Sequence, residues 1–172
     1  MPCHVLFLCT GNSARSLLAE CLLGRLGGER FRAFSAGSRP TGEPNPFALE
    51  LLREQGYDTS ALRSKSWDEF AGPGAQHLDF VFTVCDSAAG EACPVWPGRP
   101  LGAHWGIDDP AAVRDSDEAA RRAFRRAYAE LEQRIGHFVR LPLDELAPEA
   151  LAAQLEAIGG PGTGASEDGG PA

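Results

Sequence analysis

A thiol, a guanidinium and a hydroxyl lie close together near the start of the chain, in the run Cys9-Thr10-Gly11-Asn12-Ser13-Ala14-Arg15-Ser16. An apolar stretch, Val5 to Leu8, leads into the cysteine, and an amphipathic stretch follows the arginine. That order reads as strand, loop, helix. It sets the Cys9 sulfur at the C-terminal end of a strand and beside a helix N-terminus. There, backbone N–H groups and the helix dipole favour an anion. The same field favours thiolate over thiol, so the sequence predicts a nucleophilic Cys9 with a lowered pKa. Arg15 offers a planar fork that matches two oxygens of a tetrahedral oxyanion. The predicted cradle is Thr10, Gly11, Asn12, Ser13, Ala14, Arg15 and Ser16, with Ser16 on the sulfur and Asn12 bracing the loop. No Gly-Lys-Ser/Thr follows the glycine, so the loop is the wrong one for a nucleotide's phosphates. A lone Cys and Arg would read as a buried strand end and a surface charge. Here position, spacing and flanking periodicity agree on an anion site.

A second constellation is Cys85-Asp86-Ser87-Ala88-Ala89-Gly90-Glu91-Ala92-Cys93-Pro94. The two thiols could close a disulfide if this small-residue segment bends. They could bind zinc with His104, although the spacing matches no compact metal motif. They could also be inert. Because Cys85 and Cys9 both end strands, a thiol relay is the favoured reading. A third feature, Asp109-Pro110, sits on a loop where a carboxyl group could give a proton to a leaving oxygen. Its plain reading is a turn-forming Asp before Pro.

The elements that position these groups follow from periodicity. His4–Leu8 reads as a buried strand and Arg15–Leu26 as a helix ended by Gly27-Gly28. Cys21 falls on that helix's apolar face and reads as core. Arg30–Ser35 alternates as a second strand, and Asn45-Pro46 caps a helix that runs to about Gln55. Ser66-Trp67-Asp68-Glu69 reads as a capping box opening a short helix. Asp79–Val84 and Leu101–Ile107 are the third and fourth strands. Asp115 or Ser116 caps a long helix whose apolar face is Ala120, Phe124, Ala127, Leu131, Ile135 and Phe138. Arg121, Arg122, Arg125 and Arg126 form a basic patch on it, read as a solvated face. Leu143–Ile158 is a last helix, split by Pro148. Alternating strands and helices predict an α/β fold, a parallel four-stranded sheet with helices on both faces. In such sheets ligands bind beyond the C-terminal strand ends, and Cys9, Cys85 and Asp109 all fall at that edge.

The chain has 172 residues, of which 43% are hydrophobic and 23% charged, which suits one globular domain. That domain is assigned to residues 1–158, with 159–172 a disordered Gly/Pro-rich tail. A net charge of -8 argues against nucleic-acid binding and anionic membrane surfaces, so an oxyanion must be drawn by a local field. No apolar run approaches the ~20 residues of a membrane span, and the N-terminus lacks a basic signal-peptide region. The expected setting is cytoplasmic, where cysteines are more often catalytic than bridged.

The cysteine–five residues–arginine–serine spacing is shared with cysteine-dependent phosphatases. Cys9–Ser16, Phe82–Pro94 and His104-Trp105-Gly106-Ile107-Asp108-Asp109-Pro110 together resemble bacterial arsenate reductases of the low-molecular-weight phosphatase-like, thioredoxin-coupled type. The resemblance runs through the long helix and leaves the last helix and tail outside. It implies a three-layer sandwich and a reaction in which Cys9, Arg15, Cys85, Cys93 and Asp109 are catalytic. Arsenate sits over Cys9, Cys9 attacks arsenic, and Asp109 assists loss of an oxygen. Cys85 then attacks Cys9 and releases arsenite, and Cys93 attacks Cys85. Phosphate and sulfate are further candidate oxyanions for the same loop. Thioredoxin is the expected reductant, with glutathione and glutaredoxin as the alternative, and the enzyme is expected to be a monomer without a tightly bound cofactor. Asn12, Glu20, Ser35 and Asp68 match positions where some members bind a monovalent cation, so a potassium ion is a candidate there. The main rival is a low-molecular-weight protein tyrosine phosphatase, which would want an aromatic-lined cleft; no aromatic follows Asp109-Pro110. A non-catalytic oxyanion-binding or redox-sensing module is the rival from another class.

Overall fold

The structure is a computed structural model, and it describes residues 2–85, 94 and 96–159. Four parallel strands form one sheet in the order β2-β1-β3-β4. They are β1 (Cys3–Cys9), β2 (Phe31–Gly37), β3 (Phe80–Thr83) and β4 (Leu101–His104). β1 has a neighbour on either side, and Val5 to Leu8 are each 0% exposed. A strand buried on both faces cannot alternate apolar and polar residues, which explains the unbroken apolar run. The register aligns the C-terminal ends: Cys9 lies opposite Gly37, Leu8 opposite Thr83, and Thr83 opposite His104. One sheet edge therefore carries the ends of all four strands.

Among the described residues four α-helices supply the main core: α1 (Arg15–Gly27), α2 (Pro46–Glu54), α3 (Asp117–Val139) and α4 (Pro148–Gly159). Their buried residues cluster with Val5, Phe7 and Cys9 of β1. Leu6 and Leu8 point the other way, into a smaller cluster with Ala36, Phe70, Leu78 and Val81. A 3-10 turn, Trp67–Phe70, packs on this second face through Phe70. α3 docks through Phe124, Leu131, Ile135 and Phe138, each at most 1% exposed. Every such side chain removed from water stabilises the fold by about 1.5–3 kcal/mol. The half-exposed Arg121–Glu50 pair between α3 and α2 adds about 0–1 kcal/mol, so the apolar face sets the docking. Arg121 is thus tied to Glu50 rather than simply solvated.

The predicted caps form at two helices: Asn45 Oδ1 accepts from Phe47 N at 2.8 Å, and Ser116 Oγ accepts from Ala119 N at 3.0 Å. Four expectations need correction. Ser66 Oγ accepts from Asp68 N, and Glu69 pairs with Arg63, so no reciprocal capping box forms and the turn stays 3-10. Pro148 begins α4 instead of splitting a longer helix, since a first-turn residue needs no N–H donor. The fourth strand ends at His104, although Trp105 N and Ile107 N still bond Thr83 O and Val84 O. Gly159, expected to open the tail, is the last residue of α4, and a Cβ there would fall 2.1 Å from the Trp105 ring. The rest of the tail lies outside the described residues. Among the described residues no helix is long and apolar enough to cross a membrane.

Candidate active site

The Cys9–Arg15 loop turns tightly because Asn12 takes a left-handed conformation, φ 48°. Asn tolerates that region better than most residues. The loop carbonyls are then taken from outside. Thr10 O accepts from Arg39 N (2.9 Å), Gly11 O from Thr41 N (3.0 Å), and Ser13 O from Asn45 N (2.8 Å). In a trans peptide the next N–H points opposite to its carbonyl, so outward carbonyls leave the amides turned inward. One of them shows it directly: Asn12 N donates to Cys9 Sγ at 3.2 Å. α1 starts at Arg15, and its N-cap residue, Ala14, has no side-chain oxygen to spend on the first-turn amides. Those donors face the place where an anion would sit.

Gly37 makes this packing possible. It ends β2 opposite Cys9, and a Cβ at this position would lie 2.4 Å from Thr10 O and 3.0 Å from Asn12 N. Both contacts are backbone and cannot swing away. Gly37→Ala is therefore expected to push the loop off the sheet edge and cost about 1–3 kcal/mol, the usual range for overpacking, read as a lowered melting midpoint together with weakened phosphate binding.

Cys9 is 3% exposed. The lowered pKa that its helix-terminal position predicts is overridden by depth. Burial pushes the thiol up from its ordinary value, and the Ser16 hydroxyl and the Asn12 amide pull against that rise. Ser16 Oγ lies 2.9 Å from Cys9 Sγ. Asn12 Nδ2 donates to Ser16 Oγ at 2.8 Å, which leaves the hydroxyl proton free to point at sulfur. Ser16 therefore stabilises thiolate. Ser16→Ala removes a group that lowers the Cys9 pKa, so thiolate becomes scarcer at any fixed pH. Alkylation of Cys9 by iodoacetamide is expected to slow about tenfold at pH 7, with its rise moved to higher pH.

Arg15 Nη1 donates to Ile107 O at 3.0 Å, and Nη2 lies 3.6 Å from Asp109 Oδ2. The guanidinium is largely buried and the Asp109 carboxylate 43% exposed. The structure thus brings Asp109 to the loop, where its other oxygen accepts from Ala111 N and caps the 3-10 turn Pro110–Ala112. The strut that carries Asp109 is braced from behind. Trp105 stacks on Phe82 with ring centroids 3.8 Å apart and donates its indole N–H to Leu155 O of α4. Arg134 of α3 donates to Trp105 O and Gly106 O, both at 2.9 Å.

Cys85 is buried two residues beyond the end of β3, its sulfur 3.6 Å from Thr10 Oγ1. A charge on it would push Cys9 further up, as expected of two thiols sharing one edge. Cys93 lies outside the described residues. Cys21 packs beside the core, with its thiol pushed up to about 12, mainly by burial, which makes it a poor nucleophile. Among the described residues no group of three metal-ligating side chains occurs.

Of the four candidate cation ligands, Asn12, Glu20 and Ser35 converge, while Asp68 is exposed on the neighbouring turn. Lys65 stands among the three. Its Nζ is 3.3 Å from Asn12 Oδ1, 3.4 Å from Ser35 Oγ and 4.0 Å from Glu20 Oε1. The oxygens that would hold a potassium ion already face an ammonium, so these residues do not fit an added cation. Gly37, Lys65 and Arg134 are site residues that pattern reading missed, and Trp105 stood in the His104–Pro110 motif without an assigned role. Only Gly37, at the end of a strand, carried a local signal.

A cleft of 340 Å³ borders the site, lined by Phe47, Pro110, Ala111 and Arg114 among others. Its aromatic wall comes from Phe47 of α2 and Phe124 of α3, not from the residues immediately following Asp109-Pro110.

Residues 4–154 match the low molecular weight phosphotyrosine protein phosphatase family. The match reaches into α4, further than the sequence resemblance. An arsenate reductase of Halalkalibacterium halodurans is 38% identical over 134 residues, covering 78% of this chain and 93% of that protein. The crystal structure of an arsenate reductase from Archaeoglobus fulgidus is 30% identical with a TM-score of 0.60, covering 78% of this chain and 98% of that one. A thioredoxin-dependent arsenate reductase from Corynebacterium glutamicum is 27% identical with a TM-score of 0.56; the match covers 78% of this chain and 58% of that chain. The inward amides around a buried sulfur, the arginine beside them and the aspartate on the strut thus stand in a chain that belongs to the low molecular weight phosphotyrosine protein phosphatase family, alongside the arsenate reductases it matches.

Proposed function

We propose that the protein reduces arsenate to arsenite by a thiol relay and so serves arsenic detoxification. The observation that carries this reading is the second thiol at the nucleophile's edge, Cys85 Sγ 3.6 Å from Thr10 Oγ1. Ester hydrolysis needs one nucleophilic sulfur and a water; reduction needs electrons, and a dithiol supplies two. The arsenate reductases among its relatives support the same choice.

An arsenate anion is held by the loop amides and the Arg15 fork. The Cys9 thiolate attacks arsenic(V), an As–S bond forms, and one oxygen leaves as water with a proton delivered through Asp109. The Cys85 thiolate then attacks Cys9 Sγ; an S–S bond forms, the S–As bond breaks, and its electron pair stays on arsenic, which departs as arsenite, arsenic(III). The Cys93 thiolate attacks Cys85 Sγ, a Cys85–Cys93 bond forms, and Cys9 leaves as thiolate. An external dithiol, thioredoxin in this proposal, reduces the last disulfide. All groups needed belong to one chain, so the proposed enzyme acts as a monomer, in a cytoplasm that keeps its thiols reduced.

Phosphate monoester hydrolysis shares the first step, and the cleft walled by Phe47 favours it as the second reading. Parallel turnover assays separate the two. Purified enzyme with thioredoxin, its reductase and NADPH is expected to form arsenite over many cycles, with aryl phosphate hydrolysed slowly. Fast hydrolysis without catalytic arsenite formation would reject the proposal.

A further inference from the structure

We propose that the Lys65 ammonium is a built-in cation for the nucleophile loop, acting as a positioning residue for Cys9 in place of a monovalent metal ion. Four parts of the chain meet around it: Asn12 from the loop, Glu20 from α1, Ser35 from β2, and its own segment through Arg63 O, which accepts from Nζ at 2.9 Å. The Lys65 side chain is 10% exposed and that of Glu20 25%. A buried ammonium without such partners would be strongly disfavoured. Lys65 appears in no step of the proposed reaction, so its cost in desolvation calls for another role.

That role follows from donor and acceptor bookkeeping. Asn12 Oδ1 receives two donors from Lys65, the backbone N–H at 2.8 Å and Nζ at 3.3 Å. This fixes the carboxamide with its NH₂ turned away from Lys65. Asn12 Nδ2 then donates to Ser35 Oγ (3.0 Å) and to Ser16 Oγ (2.8 Å). The Ser35 hydroxyl donates to Glu20, whose carboxylate balances the Lys65 charge. Ser16 Oγ, already an acceptor, turns its proton to Cys9 Sγ at 2.9 Å. Every donor on the path from Lys65 to Cys9 therefore points toward the sulfur. A fixed positive end polarises such a chain and favours negative charge at the other end. The same anchor keeps Asn12 at φ 48°, the conformation that aims its N–H at Cys9. A potassium ion could fill this place only if the ammonium were absent.

The inference rests on Cys9 being the nucleophile, not on which oxyanion it attacks, and its test needs no turnover. Cys9 alkylation by iodoacetamide is followed by peptide mass spectrometry, in choline chloride and in potassium chloride at equal ionic strength, with inorganic phosphate as the protecting anion. Wild type is expected to behave alike in both salts. Lys65→Ala is expected to alkylate about tenfold slower in choline, the loss of a charged hydrogen-bonding anchor. In potassium it should recover to within about threefold of wild type, regain phosphate protection and melt higher than in choline. Lys65→Met, which keeps the stem volume without the charge, should be slow in both salts. The proposal is overturned if Lys65→Met alkylates at the wild-type rate, if Lys65→Ala stays slow in potassium, or if potassium accelerates wild type equally. Should Lys65→Ala not fold, the Lys65→Met rate still decides the matter.

Discussion

Cys9→Ser is expected to lose at least about ten thousand-fold in arsenate turnover, to the level of the uncatalysed background. The hydroxyl is a far weaker nucleophile than a thiolate, and Ser16 Oγ, 2.9 Å from that position, is placed there as a hydrogen-bond donor and not as a base. More decisively, an arsenate ester of serine has no S–As bond for Cys85 to break, so no electron pair can reach arsenic. The cradle should survive, because the outward carbonyl bonds to Arg39 N, Thr41 N and Asn45 N do not involve sulfur. Inorganic phosphate is thus expected to bind Cys9→Ser, raising its melting midpoint, while arsenite production is absent. Residual arsenite formation within a hundredfold of wild type would mean that a different group makes the attack.

Cys93→Ser is expected to stop after a single cycle. The variant should release about one equivalent of arsenite per chain and accumulate a Cys9–Cys85 disulfide, since exchange needs an attacking thiolate and the third one is gone. On the Cys85 side the geometry favours the trap: its sulfur lies 3.6 Å from the Thr10 hydroxyl of the loop. Mass spectrometry of the non-reduced peptides should find residues 3–15 linked to those around 85. Sustained turnover of Cys93→Ser with thioredoxin would contradict the relay. A burst of less than a tenth of an equivalent would place the block earlier, at the As–S bond.

How far these roles can be read without coordinates depends on the distance over which each group acts. The strand–loop–helix order around Cys9 is local, and its apolar run and turn residues announce it. The parallel sheet follows from alternation of strands with helices, and with it the common edge of Cys9, Cys85 and Asp109. Helix starts with side-chain caps, Asn45-Pro46 and Ser116, were legible for the same reason. The Ser66 capping box was not, because Glu69 found a better partner in Arg63.

The thiol's ionisation shows the limit most clearly. Position at a helix N-terminus argues for a low Cys9 pKa, yet the sulfur's depth beneath the loop reverses the sign and leaves Ser16 and Asn12 as the opposing groups. Depth is a property of packing and has no signature in adjacent residues.

Local order in the chain was enough to specify an oxyanion loop with a cysteine and an arginine, the parallel sheet beneath it, and the thiols and carboxylate at its rim. Such features arise from neighbours within a turn or two, where spacing and chemistry are the whole cause. The Lys65–Asn12–Ser16 chain, the Gly37 contact against Thr10, and the Trp105 strut held by α3 and α4 emerged from packing alone. Each joins segments tens of residues apart, and no pattern of neighbouring residues encodes which of them will meet.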